Sequence, residues 1–279
     1  MRKVAIQGVA GSFHDIAAHQ YFKGEEIELV DCDTFKDVFA AIRKDNSIIG
    51  LIAIENTIAG SLLPNHNLLK DSGCSIMGET KLRISHCLAA MPGQKIEDLR
   101  KVFSHPMALM QCGDFLAEHP NLLAVESDDT ASSAKRIAEA QKMGVAAICS
   151  KRAAEIYGLE VLADGIETNK RNFTRFLVVG DAWTAEEHVQ DKKINKASLV
   201  FALPHEEGSL ARVLSLLWFY HVNLTKIQSL PIMGREWEYL FYVNITFQDM
   251  LTYRQALEAL RPFTKDLRVL GEYVDFIKK

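Results

Sequence analysis

From residue 1 to about 180 the chain repeats one rhythm: a short apolar run of strand length, a turn, then apolar residues at helical spacing. Residues 4–6 read as a strand, Gly8-Val9-Ala10-Gly11 as a tight turn, and Phe13, Ile16, Ala17 and Tyr21 as one face of a helix. Thr34 is placed to cap a helix carrying Phe35, Val38, Phe39 and Ile42. An apolar run at 48–54 follows, and the pattern returns at 102–103 before Pro106, at 122–125 before Asp129 and at 145–149 before Ser150. Such alternation implies parallel sheets with helices on both faces. Two α/β lobes are expected, one over about 1–80 plus the returning segment 172–182, the other over about 81–171. A cleft between lobes is a favoured ligand site.

Residues 183–196 are polar and charged and read as a linker. The rhythm then changes. A strand over 197–203 precedes a helix with Leu210, Val213, Leu214, Leu217 and Trp218 on one face. Two strands over 222–232 and 238–247 flank a turn at Gly234, and Tyr253, Ala256, Leu257 and Leu260 mark a helix stopped at Pro262. A strand over 267–273 closes the β-α-β-β-α-β order of a ferredoxin-like unit at 197–279.

The formal net charge of −4 and the scattered basic residues argue against nucleic acid, which needs a concentrated basic face. No apolar run reaches membrane-spanning length, and the first eight residues hold too few apolar side chains for a secretory signal. The five cysteines are odd in number and lack a C-x-x-C pair, which fits free thiols in a reducing cytoplasm, with no metal or disulfide framework. A cytoplasmic chain is therefore the expectation.

Five polar motifs punctuate the alternation. Gly8-x-x-Gly11-Ser12-Phe13 joins a strand to a helix; it is either a plain tight turn or a set of amides that favours an anion. It lacks the fuller dinucleotide fingerprint. Glu55-Asn56-Thr57-Ile58-Ala59-Gly60-Ser61 follows a strand, where ligand crevices lie; the same residues also serve as helix caps. In Ser104-His105-Pro106, His105 is a structural residue, a proton donor or a carboxylate anchor. Asp129-Thr130-Ala131 caps a helix and presents hydroxyls. Asn172-Phe173-Thr174-Arg175-Phe176 enters the apolar run Leu177-Val178-Val179, where polar groups are cheaply held. His14 and His86 have no partner legible in the sequence.

In their order and positions these motifs, with Gln111-Cys112 after Pro106, resemble the prephenate dehydratase family over essentially the whole chain. The C-terminal unit resembles the ACT regulatory domain of those enzymes, through Gly208-Ser209-Leu210, Asn223-Leu224-Thr225-Lys226-Ile227-x-Ser229-x-Pro231 and Glu238-Tyr239-x-Phe241. The resemblance implies a two-lobed, periplasmic-binding-protein-like catalytic domain at 1–182 and an ACT domain at 197–279. It implies a lyase of phenylalanine biosynthesis that turns prephenate into phenylpyruvate without a cofactor or metal. Thr174 is then the catalytic hydroxyl and Arg175 a substrate anchor, with Ser12, Asn56, Ser61, His105, Thr130, Asn172 and Phe176 as substrate-binding residues. Gly208, Ser209, Leu210, Asn223 and Leu224 are the implied contacts for phenylalanine as effector, in a homodimer or homotetramer.

The chain departs from the family at Thr57, where Ser is usual, at Asn67-Leu68-Leu69, where Asp-Leu-Leu is usual, and at Met107, where Gln is usual. Gln228-Ser229-Leu230-Pro231 replaces Glu-Ser-Arg-Pro and so lacks two charges of the effector loop. Two other readings stay open. Arogenate, the amino form of prephenate, would use Glu55 or Asp129 for its ammonium; a non-catalytic amino-acid sensor would need no Thr174 hydroxyl.

Overall fold

The computed structural model describes residues 1–232, 234 and 238–276. Residues 277–279 of the expected C-terminal unit lie outside these. In chain order come β1 (Arg2–Gln7), α1 (Phe13–Tyr21), β2 (Ile27–Cys32), α2 (Phe35–Lys44), β3 (Ile49–Asn56), β4 (Gly60–Ser61), α3 (Leu63–Ser72) and β5 (Ser75–Arg83). Then follow β6 (Cys87–Ala90), β7 (Lys101–Ser104), α4 (Pro106–Gln111), α5 (Gly113–Glu118), β8 (Leu123–Glu126), α6 (Thr130–Glu139), β9 (Val145–Cys149), α7 (Lys151–Ile156) and β10 (Glu160–Asp164). β11 (Phe173–Gly180) returns to the first sheet, whose order is β2-β1-β3-β11-β5 with β4 on β3. The second sheet is ordered β10-β6-β9-β7-β8.

Both sheets belong to an α/β fold and both are mixed: in the first, the end of β3 at Thr57 and the residue after β5, Ile84, meet the start of β11, which therefore runs against both neighbours. In the second the directions also differ. β7 runs parallel to β8 and β9, whereas β6 is antiparallel to β9 and to β10. The expectation of parallel strands fails there for a local reason. β6 and β7 flank β9 and are joined by residues 91–100, which hold no crossover α-helix, so β7 leaves in the direction opposite to β6.

By their packing the residues fall into two compact units, one of 1–38, 51–60 and 81–176, the other of 39–50, 61–80 and 177–279. In the first unit the second sheet is buried on both faces, which is why its strands read as continuous apolar runs. Cys87, Ala89, Val145, Ala147 and Cys149 pack with Ala131, Ala134 and Ile137 of α6 and Ala153 and Ala154 of α7. Leu88, Ala90, Ala146 and Ile148 pack with Ala108, Leu109 and Cys112 around α4.

The second unit holds the C-terminal elements. The stretch expected as a linker carries α8 (Ala182–Val189), capped by Asp181, whose Oδ1 accepts from Trp183 N at 2.8 Å. Then come β12 (Lys196–Ala202), α9 (Ser209–Phe219), β13 (Asn223–Pro231), β14 (Tyr239–Thr246), α10 (Met250–Leu260) and β15 (Lys265–Tyr273), the β-α-β-β-α-β order. Their sheet is ordered β13-β14-β12-β15, with each pair antiparallel. Alternate residues Ala197, Leu199 and Phe201 face Val213 and Leu217 of α9 and Tyr253, Ala256, Leu257 and Leu260 of α10. Two features bind this sheet to β5 within the unit. Lys196 Nζ, buried, lies 2.6 Å from Glu79 Oε1 and 3.3 Å from Asp275 Oδ1. Gly271 sits so close to β5 that a Cβ there would overlap the Ile76 carbonyl oxygen.

Candidate active site

The polar ends of β3 and β11 meet in the first unit. Thr57 joins them: its N–H donates to Phe173 O at 2.9 Å, its hydroxyl donates to Arg171 O at 2.9 Å, and that hydroxyl oxygen accepts from Phe173 N at 2.9 Å. Ile84 N donates to Asn172 O at 2.8 Å from the other side. Side chains alternate along a strand, so Thr174 and Phe176 take one face of β11 and Phe173 and Arg175 the other. On the latter face Arg175 is largely buried, with its guanidinium 3.8 Å from Glu55.

On the Thr174 face a chain of amides runs inward, and its direction can be deduced. Asn56 Oδ1 accepts from Ile58 N and Ala59 N, both at 2.9 Å. Backbone N–H groups only donate, so the Asn56 oxygen is fixed there and its nitrogen points the other way. Asn56 Nδ2 therefore donates to Asn172 Oδ1 at 2.8 Å and to Thr174 Oγ1 at 2.9 Å. Asn172 Nδ2 must then donate to Gln111 Oε1, at 2.8 Å, and the same oxygen faces His86 Nε2 at 3.1 Å. Two consequences follow. Thr174 receives a hydrogen bond, and its own proton has no acceptor among the described residues. Gln111 spends its oxygen on the chain and keeps its NH2 group without a partner among them.

The first turn of α1 packs against this chain. Phe13 stands edge-on to His86 with ring centroids 5.2 Å apart, and His14 stands edge-on to Phe176 at 5.0 Å. Burial pushes the His14 imidazole pKa down to about 4. Ser12 is the cap: its hydroxyl accepts from Asp15 N at 3.2 Å. Gly11 lets the turn approach α7. At φ 85°, a Cβ there would lie 2.6 Å from Ala153 Cα, and Ser150 Oγ donates to Gly11 O at 2.5 Å.

The other expected site residues fall as follows. Thr130 opens α6 and is buried, capped by Asp129, whose Oδ1 accepts from Ser132 N at 2.9 Å. A Cβ on Gly8 would meet Ser12 Oγ and Asp129 Oδ2, each at 3.5 Å, so these two motifs converge. His105 is exposed and caps α4, its ring Nδ1 accepting from Met107 N at 3.1 Å; no hydrogen bond joins it to the amide chain. Ser61 closes β4 in the other unit. Among the implied effector contacts, Gly208 takes a left-handed φ of 77° before α9, and buried Ser209 Oγ has no partner among the described residues. Leu210, in the first turn of α9, is partly buried against the core, and Leu224 packs on that core from β13. Asn223 Nδ2 donates to Thr246 Oγ1 at 3.4 Å.

Two members of the site, His86 and Glu167, carry no legible signal in the sequence, and Gln111 carries one only through the family resemblance. His86 stands there only as a histidine without partners. Glu167, fully buried, accepts from His86 N at 2.9 Å and holds the segment between β5 and β6. No local pattern announces them.

The prephenate dehydratase family profile matches residues 4–183. Over 97% of this chain and 72% of the relative, the sequence is 37% identical to arogenate dehydratase/prephenate dehydratase 2, chloroplastic, of Arabidopsis thaliana. It is 31% identical to the bifunctional chorismate mutase/prephenate dehydratase of Escherichia coli K12, over 97% of this chain and 70% of that one. Among solved structures, the prephenate dehydratase of Arthrobacter aurescens in complex with L-Phe superposes with a TM-score of 0.84 at 25% identity, covering 99% of this chain and 91% of that one. A protein described as GqqA, a novel type of quorum quenching acylase, superposes with a TM-score of 0.86 at 28% identity over the whole of both chains. The expectation of a cytoplasmic chain does not stand beside these findings, because the Arabidopsis relatives are chloroplastic. Thiol count and charge describe the folded domain, whereas an address is read from a separate segment.

Proposed function

The chain belongs to the prephenate dehydratase family, and from that premise we propose how its residues carry the reaction. Prephenate loses its ring hydroxyl and its ring carboxylate. The electrons of the C–CO2 bond move into the ring, the C–O bond leaves with its pair, and one proton is taken up so that water departs. Aromatisation drives the step, so the protein's task is to favour departure of the oxygen. The single observation that carries the reading is the Asn56 N–H on Thr174 Oγ1. It leaves the threonine proton for a ligand. Threonine is a poor acid at neutral pH, so its part is a hydrogen bond to the departing oxygen, an effect of roughly 10²–10⁴ in rate. Gln111 Nε2 is the second such donor. Arg175 anchors a carboxylate, preferably not the one that leaves, since uniform ground-state binding lowers no barrier. Ser12, Thr130 and Asn172 line the site or hold its geometry; His105 acts as a helix cap.

An acylase would use Thr174 as a nucleophile and place a base on its proton. Asn56 offers a donor instead. Arogenate is a substrate supported by the relatives' names; of the two acids weighed for its ammonium, Asp129 is engaged as a cap and Glu55 faces Arg175 at 3.8 Å. Following phenylpyruvate from prephenate and phenylalanine from arogenate, with wild type and Thr174→Val, tests both. A valine variant with near wild-type kcat on either substrate overturns the role of Thr174.

The same proposal extends to the domains. Residues 1–182 are a two-lobed, periplasmic-binding-protein-like catalytic domain, and 197–279 an ACT domain that pairs with a second copy in a homodimer or homotetramer. Phenylalanine binds at Gly208, Ser209, Leu210, Asn223 and Leu224 and lowers activity, with a coupling of about 1–3 kcal/mol. The β-α-β-β-α-β order, the unpartnered Ser209 hydroxyl and the phenylalanine complex of the Arthrobacter relative support it. A flat activity response to phenylalanine overturns it.

A further inference from the structure

The amide chain ends on a group that the proposed reaction does not use. His86 Nε2 faces Gln111 Oε1, while His86 Nδ1 is buried without a hydrogen-bond partner. A buried acceptor left bare is uncommon and calls for a reason. The chain supplies one. Ile58 N and Ala59 N fix Asn56, Asn56 fixes Asn172, and Asn172 fixes Gln111 with its oxygen toward the histidine. An oxygen there accepts only, so Nε2 must carry the proton, and a neutral ring then leaves Nδ1 bare.

We propose that His86 is a positioning residue for the dehydratase reaction: as the neutral Nε2–H tautomer it clamps the Gln111 oxygen from the side opposite Asn172, so that the Gln111 NH2 group stays aimed at the ligand. One donor alone leaves the Gln111 amide free to swing about its terminal torsion, which is broad. Two donors on one oxygen define its plane. The surroundings hold His86 in that form. Phe13 stands edge-on to the ring, and Glu167 grips the His86 backbone N–H. Burial lowers the imidazole pKa, outweighing the Gln111 hydrogen bond and the Glu167 charge, which act the other way. The opposite tautomer would set two lone pairs face to face at 3.1 Å.

This inference rests on the proposed reaction for its consequence, but its structural core can be tested without substrate. In ¹⁵N-histidine-labelled wild-type protein, with the His86 signals assigned by their loss in His86→Gln, the expected result is a protonated Nε2 and an unprotonated Nδ1 at neutral pH. A protonated Nδ1, in either the other tautomer or the imidazolium, overturns the proposal. Kinetics read the consequence. His86→Phe keeps the ring and loses the donor; kcat is expected to fall about 10- to 100-fold with KM little changed. His86→Gln restores a donor at the Nε2 position and is expected to recover most of that loss. A His86→Phe variant with wild-type kcat, or a folded His86→Gln variant no better than His86→Phe, overturns the positioning role. If His86→Phe does not fold, the glutamine variant measured against wild type and the labelled spectrum together decide. A wild-type chain that turns over neither prephenate nor arogenate defeats the proposed function instead, and the spectrum alone then decides the tautomer.

Discussion

Asn56 donates to Thr174, and not the reverse: the amide nitrogen lies 2.9 Å from the hydroxyl oxygen because two backbone N–H groups already hold the amide oxygen. The direction of one proton at the site is thus set by the main chain of residues 58 and 59. Asn56→Asp tests this with almost no change of shape. The carboxylate has nothing to donate, and Thr174 turns its proton inward to meet it. We expect kcat to fall about 10²–10³-fold, with some loss of thermal stability because Asn172 Oδ1 loses its donor as well. Activity within tenfold of wild type would show that the direction of that proton does not matter.

Arg175 is expected to act mainly on binding. Lysine keeps the charge but not the planar fork that meets a carboxylate at two points. Arg175→Lys should raise KM for prephenate about ten- to a hundredfold, the size of one charge-assisted hydrogen bond, with a smaller effect on kcat. An unchanged KM places the carboxylate elsewhere.

His14 gives the fold a pH dependence of known sign. In the unfolded chain it takes up a proton near 6.5; in the fold it resists until about 4. Between those values the unfolded state binds more protons, so His14's contribution is fully present above about 6.5 and is lost as pH falls toward 4. His86, also lowered by burial, acts in the same direction. Between pH 6.5 and 5 the wild type should lose about 1.5 kcal/mol more than a His14→Phe variant, read as unfolding free energies from urea titrations at the two values. Parallel losses in the two proteins count against a neutral, buried His14.

Lys196 stands between Glu79 and Asp275, all three nearly inaccessible. Lys196→Met leaves two carboxylates without their shared cation. The expected cost is about 3–5 kcal/mol by denaturant unfolding, and adding Glu79→Gln should recover part of it. A loss below about 1 kcal/mol would mean that water or another group already neutralises the pair.

Local signals were the ones that could be read from the chain. Asp129 and Thr34 cap their helices as expected, and Ser150, where a helix was expected to start, caps α7, because capping is decided within three residues. The apolar runs of the second sheet were legible because both of its faces are covered. Strand direction was not, since nothing local to Cys87–Ala90 records which way the neighbouring strand runs. The site divided along the same line. Asn56, Asn172 and Thr174 sit in compact motifs and converge. Gln111 meets His86 across 25 positions and Asn172 across 61, and nothing in the residues around a lone histidine or glutamine marks such distant partners. His105, the histidine before Pro106, serves the start of α4 as its cap.

The bare backbone at Gly271 makes the C-terminal sheet a fitted part rather than an interchangeable one. A homologous module grafted in its place would have to bring a glycine to that register, whatever the quality of its own core. Even alanine there would press on the Ile76 carbonyl and push the two strands apart. Recombination between relatives should therefore tolerate crossovers that keep residues 75–83 and 265–273 from the same parent, and reject those that mix them.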